Sequence, residues 1–162
     1  MGIPQPNILS CPFCGENTAR TQFAESSRFR AIYNLAPILP GHSLIIPKQH
    51  IQSIIALSDD ELAEMMVFSR RVVRIIFATF NVAAYNWTIQ EGPEAGQTVP
   101  HLHLHLLPRF ANDLPEPGDW YPRLQQSQAG VIDSRSRARL TLDQMDVIVK
   151  RMRQTASTLE NQ

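Results

Sequence analysis

A chain of 162 residues with 43% hydrophobic and 19% charged residues has the composition of one globular domain and not that of a disordered chain. Its formal net charge of +0 disfavours general electrostatic binding to nucleic acid or to a membrane surface. Residues 1–10 lack a basic start followed by an apolar run, and no apolar stretch approaches the length of a membrane span, so we expect a cytoplasmic location.

Cys11 and Cys14 are the two cysteines of the chain and stand in a Cys-x-x-Cys spacing. One such pair is not a disulfide framework, which leaves a metal site, a redox pair or two idle thiols. A redox pair of the thioredoxin kind lies at the start of a helix that follows a strand. The residues around these cysteines do not predict that context, so a metal site or idle thiols remain.

Short segments before the first long helix carry the signals of turns and strands. Gly15–Thr18 reads as a turn, and the residues after it predict strands over Thr21–Glu25 and Arg28–Asn34. Ser43–Ile46 predicts a third strand, which ends before a proline.

The segment Ser58-Asp59-Asp60-Glu61 has the pattern of a capping box, in which a serine hydroxyl and a glutamate each bind the other's backbone amide. Apolar residues then recur at helical spacing and predict a helix over about Asp59–Asn81. Three arginines lie toward its other side and form either a phosphate patch or, as we favour, an exposed helix face. They are Arg70, Arg71 and Arg74.

The second half of the chain alternates predicted strands and loops and ends in a helix. Tyr85–Gln90 reads as a strand, Gly92–Gly96 as a tight loop and His101–Leu107 as a further strand. Residues 112–139 lack a sustained period, which is typical of a lid, an interface segment or disorder. A second capping box predicts a C-terminal helix over residues 141–158. Strands grouped around two separated helices predict an α+β fold with an antiparallel sheet.

His101, His103 and His105 alternate with leucines, so on a strand the imidazoles would share one face about 6.5–7 Å apart. Two kinds of site are open: a metal centre, and nucleophilic catalysis by a neutral imidazole held in one tautomer. The alternative is a set of ordinary surface histidines on an edge strand. Because these three are most of the five histidines in the chain, we favour a site.

The loop ahead of the histidines favours an anionic ligand. Glu91–Thr98 contains small residues that let backbone amides approach a ligand closely. Gln97 and Thr98 add neutral donors just before the histidines, whereas a metal would prefer a carboxylate nearby. We therefore expect anionic oxygens at this site.

The string His101-Leu102-His103-Leu104-His105-Leu106-Leu107 matches the histidine triad signature, His-φ-His-φ-His-φ-φ with φ apolar. The longer stretch Gln90–Arg109 resembles most closely the fragile histidine triad branch, the dinucleoside polyphosphate hydrolases. Asn34–His42 also resembles the upstream segment of that branch, including its fourth histidine. The resemblance covers roughly residues 28–110.

The resemblance implies a covalent mechanism centred on His103. This imidazole would attack the α-phosphorus of diadenosine tri- or tetraphosphate, and water would resolve the nucleotidyl-histidine to a nucleoside monophosphate. His105 would bind phosphate oxygens and His42 would support the triad. Gln97, which we count with the catalytic residues, and Thr98 would donate to the α-phosphate. Gln90 would contact the leaving group. Asn34 would contact the ribose, and Ile32 would form part of the wall of the base pocket.

A second implication concerns zinc. Many bacterial histidine triad proteins resemble this chain in having an N-terminal Cys-x-x-Cys, which binds zinc with two histidines. The matching positions here are Cys11, Cys14, His50 and His101, a closed tetrahedral set of the structural kind. A divalent cation such as magnesium would accompany the substrate.

The family also implies a single domain with a sheet of about five strands, one long helix and a C-terminal helix. Its core would span about residues 8–110, with a loop or lid over 111–140. A homodimer is expected from the same resemblance, through helices and sheet edges about a two-fold axis. Trp120, Tyr121 and Arg123 either cover the site, pack in the dimer or are ordinary packing residues.

Several alternatives to the hydrolase stay open. The first is a nucleoside phosphoramidase, whose branch usually carries Ser where this chain has Thr98, and the second is a nucleotidyl transferase or phosphorylase. A signalling module would bind nucleotide tightly and turn it over slowly. Outside the family, a metal-dependent hydrolase using all three triad histidines would lose activity with chelator.

Overall fold

The computed structural model describes residues 11–15, 17–122 and 140–161. Within these residues five strands form one antiparallel sheet in the order β1-β2-β3-β5-β4. The predicted α+β class with an antiparallel sheet is therefore confirmed. The strands are β1 (Gln22–Glu25), β2 (Phe29–Tyr33), β3 (Ser43–Pro47), β4 (Ala84–Ile89) and β5 (Leu104–Arg109).

Two long helices have the caps that the sequence predicts. Helix α2 (Asp59–Phe80) starts after Ser58, which forms the complete capping box with Glu61, and ends at a left-handed Asn81. Helix α3 (Leu142–Glu160) starts after Thr141 with the same kind of box. The described residues also include a five-residue helix, α1 (Asn17–Thr21), and two short 3₁₀ helices, Ile54–Ala56 and Pro93–Ala95.

One face of the sheet carries the main core. Phe29, Ala31 and Tyr33 alternate along β2 toward this face, where α2 and α3 cover them. The intervening Ile32 belongs to a second, smaller apolar cluster with Leu44 and Ile46. Because successive side chains of a strand point to opposite faces, the sheet has one face that packs against the helices and one face that the helices leave uncovered.

Two sequence predictions of local structure are wrong. The strand predicted over His101–Leu107 begins only at Leu104, because the Leu102 amide donates to the carbonyl of Ile51 (2.6 Å), outside the sheet. The turn predicted over Gly15–Thr18 runs into helix α1, since both the amide and the hydroxyl of Thr18 donate to the Gly15 carbonyl.

Other surface predictions have mixed outcomes. Arg70 and Arg74 are exposed as expected, while Arg71 is half-buried and pairs with Glu160. The Trp120 and Tyr121 rings contact each other edge to face at 5.6 Å. Residues 1–10 and 123–139, including Arg123, lie outside the described residues. Among the helices of the described part, none has the length and apolar composition needed to cross a bilayer.

Candidate active site and metal centre

The candidate site lies on the sheet face that the helices leave uncovered. Direct cross-strand pairing places Ile32 beside Leu44 and Leu44 beside His105, one row across β2, β3 and β5. All three side chains are buried. The row joins an apolar floor to the last histidine of the string, so an apolar group and an anionic group of one ligand can lie side by side.

His103 is held in a single tautomer by the backbone. Its Nδ1 lies 2.7 Å from the carbonyl oxygen of His101, and since a carbonyl only accepts, Nδ1–H donates and Nε2 keeps its lone pair. Burial lowers the pKa of His103, which favours the neutral ring. A neutral imidazole with one bare nitrogen is the form that a nucleophile requires.

A second chain of hydrogen bonds sets the tautomer of His105. The Ile38 amide donates to Nδ1 of His42 (3.2 Å), so the proton of His42 is on Nε2. That Nε2–H donates to Nδ1 of His105 (3.0 Å), which leaves the His105 proton on Nε2. Nε2 of His105 is therefore a donor, whereas Nε2 of His103 is an acceptor. The centroids of the two rings lie 4.9 Å apart.

The two cysteines converge with the other two histidines. The Sγ of Cys14 lies 3.2 Å from Nδ1 of His50 and 3.5 Å from Nδ1 of His101, and Cys11 Sγ lies 3.4 Å from the latter. All four ligand atoms lie within 4.8 Å of one another. Bonds of about 2.3 Å to sulfur and about 2.0 Å to nitrogen place S and N about 3.5 Å apart in a tetrahedral zinc site. These four residues therefore fit such a metal.

The surroundings of this cluster also fit a cation. Burial and the neighbouring Cys11 raise the pKa of the Cys14 thiol to about 11, so the thiolate is unfavourable in the absence of a positive charge. A bound cation would stabilise the thiolate. Burial lowers the pKa of His101 to about 4. Its Nε2–H donates to the Pro47 carbonyl (3.0 Å), which turns a bare Nδ1 toward the sulfurs.

The loop Glu91–Thr98, which we predicted to bind anionic oxygens, is held in place by hydrogen bonds of the Gln97 side chain. Gln97 Oε1 accepts from the Gly92 amide (2.9 Å), and its Nε2 donates to the Gln52 carbonyl (3.3 Å). Gln90 is buried and follows Ile89, which pairs directly with Leu104 between two of the triad histidines. Thr98 is half-buried on the same loop.

Asn34, the predicted ribose contact, lies next to the histidine relay. Its Oδ1 accepts from the Ala36 amide (2.9 Å) and its Nδ2 lies 3.4 Å from Nε2 of His42. Residue Ile32, the predicted pocket wall, is in the floor described above. Of the predicted site residues, the four cysteine and histidine ligands form one cluster and His42, His103 and His105 another.

Three residues around the site were missed by sequence reasoning. Leu44 completes the apolar floor, and pairing it with Ile32 required the register of β2 and β3. Glu91 anchors the loop by accepting from Ser53 Oγ (2.6 Å) and the Ile54 amide (2.8 Å). Phe13 contacts both His101 and His103, and its position between the two cysteines is the one signal that pointed to it.

Comparison with known proteins gives a consistent picture. The sequence profile of the HIT domain matches residues 16–112. The chain is 39% identical over 101 residues to a bis(5'-nucleosyl)-tetraphosphatase (asymmetrical) of Schizosaccharomyces pombe, a match that covers 62% of this chain and 56% of that enzyme. It is 31% identical over 127 residues to the bifunctional bis(5'-adenosyl)-triphosphatase/adenylylsulfatase FHIT of Arabidopsis thaliana, covering 78% and 69%.

Among solved structures, a zinc-bound histidine triad family protein from Mycobacterium smegmatis has a TM-score of 0.70 at 22% identity. The match covers 96% of this chain and 99% of that one. At this identity the likeness establishes a shared fold.

Proposed function

The chain belongs to the HIT domain family, and from this premise we propose that it hydrolyses dinucleoside polyphosphates, namely diadenosine triphosphate or tetraphosphate, at the α-phosphorus. The observation that carries the proposal is the opposite tautomers of two adjacent rings, a bare Nε2 on His103 and a protonated Nε2 on His105. The relatives named above, a tetraphosphatase and a triphosphatase, support the same substrate class.

In the proposed mechanism the bare Nε2 of His103 forms a bond to the α-phosphorus. The bond from that phosphorus to the bridging oxygen breaks, and ADP or ATP leaves. Water then takes the place of Nε2 at phosphorus, which releases AMP and restores the imidazole. Burial of His103 keeps the ring neutral before attack, and its hydrogen bond to the carbonyl of His101 stabilises the positive charge that develops on it.

The other residues bind and orient the polyphosphate. His105 donates through Nε2 to a phosphate oxygen, and His42 keeps that proton in place. The Gly92 amide fixes the Gln97 amide group, and we assign one of its Nε2 hydrogens to the α-phosphate, with Thr98 as a further donor. Contacts to the leaving group, the ribose and the base are assigned to Gln90, Asn34 and Ile32.

The metal of the cluster is proposed to be zinc, because two sulfur and two nitrogen ligands in a closed set suit a structural zinc site. Its ligands would be Cys11, Cys14, His50 and His101, and bound zinc would fix the N-terminal turn against the histidine string. The polyphosphate would bring a magnesium ion with it, as phosphate oxygens commonly do. Elemental analysis of the purified protein tests the first of these assignments.

The function is tested by incubating the protein with diadenosine tri- and tetraphosphate and with adenosine phosphoramidate, and separating the products. We expect AMP together with ADP or ATP from the dinucleotides, and an AMP adduct on His103 after quenching in alkaline denaturant, because the P–N bond of the adduct is labile in acid. Faster turnover of the phosphoramidate would overturn the substrate assignment. Tight binding of the dinucleotides without turnover would indicate a binding module instead.

A homodimer and a cytoplasmic location complete the proposal. Strand β4 is an edge of the sheet and exposes two aromatic side chains, Tyr85 (42%) and Trp87 (40%), which an isologous partner strand would cover. Light scattering after gel filtration checks this, and a Trp87→Glu variant should be monomeric. Zinc binding by Cys11 and Cys14 would need both thiols reduced, which a reducing compartment favours, and cell fractionation tests the location. We also propose that residues 1–162 form one HIT domain.

A further inference from the structure

The turn between the two cysteines carries an aromatic ring to the candidate nucleophile. The amide of Cys14 donates to the Cys11 carbonyl (3.1 Å), which closes the turn around Phe13. The Phe13 ring meets His103 edge to face at 5.3 Å and His101 at 5.6 Å. It also packs on the apolar floor of the site, so its position is fixed from several sides.

The hydrogen bond from His103 to the backbone fixes its tautomer but not the plane of its ring. An imidazole held by one hydrogen bond can still tilt through small coupled rotations about Cα–Cβ and Cβ–Cγ, and such a tilt moves the opposite nitrogen away from in-line approach to phosphorus. Two rings close off that motion, His105 at 4.9 Å and Phe13 at 5.3 Å, both edge to face with His103. Phe13 is the one of the two that belongs to the cysteine turn.

We propose that Phe13 is a positioning residue that holds the plane of the His103 imidazole and so transmits the order of the Cys11–Cys14 turn to the nucleophile. The proposal rests on the function proposed above and goes beyond the metal ligands and the triad. A metal bound by Cys11 and Cys14 would then affect catalysis through Phe13, which lies between these two ligands in the sequence, without contacting the substrate.

Phe13→Ala tests this, with Phe13→Tyr as the conservative variant and Ile55→Ala as the matched control, because the Ile55 side chain is 86% exposed and lies outside the site. For Phe13→Ala we expect kcat to fall about 10- to 100-fold with KM within about threefold, since ring orientation affects the chemical step and not binding. Phe13→Tyr, which keeps the ring edge, should recover most of kcat, and Ile55→Ala should equal the unmodified protein.

A second readout does not depend on turnover. In the metal-loaded protein, the Nδ1–H proton of His103 should give a sharp, slowly exchanging NMR signal, and in Phe13→Ala it should broaden while metal content stays at one per chain. An unchanged signal and kcat would overturn the proposal. So would loss of the metal from Phe13→Ala, because Phe13 would then be a structural part of the turn.

The two proposals fail in different ways. If the unmodified protein turns over none of the dinucleotides, the proposed function fails, and the NMR comparison still decides whether Phe13 orders His103. If the protein is active and Phe13→Ala is equally active, only the positioning role fails.

Discussion

The two ends of the segment His101–His105 differ in which imidazole nitrogen carries the proton. We call the end beside the two cysteines the metal end, and the end proposed to face the substrate the phosphorus end. His101 donates from Nε2 to the Pro47 carbonyl and turns Nδ1 toward two sulfurs. His103, two residues later, donates from Nδ1 to the His101 carbonyl and keeps Nε2 bare. His105 accepts at Nδ1 from His42 and is protonated at Nε2. The partner of each ring therefore decides which nitrogen holds the proton, and so whether the ring suits the proposed role of metal ligand, nucleophile or donor.

The largest effect is expected from His103→Asn, which removes the proposed nucleophile and keeps a polar side chain in its place. Turnover of diadenosine triphosphate should fall at least about 1000-fold, while metal content and Tm stay close to those of the unmodified protein. Steady-state kinetics, elemental analysis and calorimetry measure the three. Appreciable residual turnover would show that the chemistry does not run through His103.

Cys14→Ser should act on the metal end first. It removes a ligand that reaches both His50 and His101, so the metal should be lost and Tm should fall by on the order of 10 °C. We expect kcat to fall about tenfold, much less than in His103→Asn, because the triad hydrogen bonds remain. Full metal content in this variant would contradict the ligand assignment. A dialysed, metal-free protein is the matched comparison and should behave alike.

His42→Ala tests whether His42 sets the tautomer of His105. Without its Nε2–H donor, His105 can take the other tautomer, and kcat should fall about 10- to 100-fold. In a double-mutant cycle, His42→Ala should add little once His105→Ala is made, because His42 acts only through the His105 ring. Fully additive losses would mean that the contact between the two rings does not set the proton position.

The smallest effect is expected from Ser58→Ala, which lies in neither cluster. It removes the N-cap of α2 and should lower the free energy of unfolding by about 1 kcal/mol, measured by urea denaturation. Metal content and kcat should not change. A change in either would mean that the long helix contributes to the site beyond packing against the sheet.

Much of the fold was predictable from local sequence. The capping boxes at Ser58 and Thr141 locate the starts of both long helices, because a cap depends on residues three apart. The alternation along β2 predicted which side chains share a face. The start of β5 was misplaced, because His101 and His103 continue the alternation although their segment bonds to Ile51 and not to a strand.

The sequence by itself determined which residue types are present, their period of two and the resemblance that joins Cys11, Cys14, His50 and His101 into one ligand set. Only the tertiary structure decided which nitrogen of each ring carries the proton. For His101 and His105 that choice depends on partners distant along the chain, the Pro47 carbonyl and the His42 ring, whose positions relative to the histidines are fixed by strand register and packing. For His103 it depends on the local backbone, which brings the His101 carbonyl to Nδ1. The pattern of histidines specifies which rings are present, and the fold around them specifies which nitrogen of each ring holds the proton.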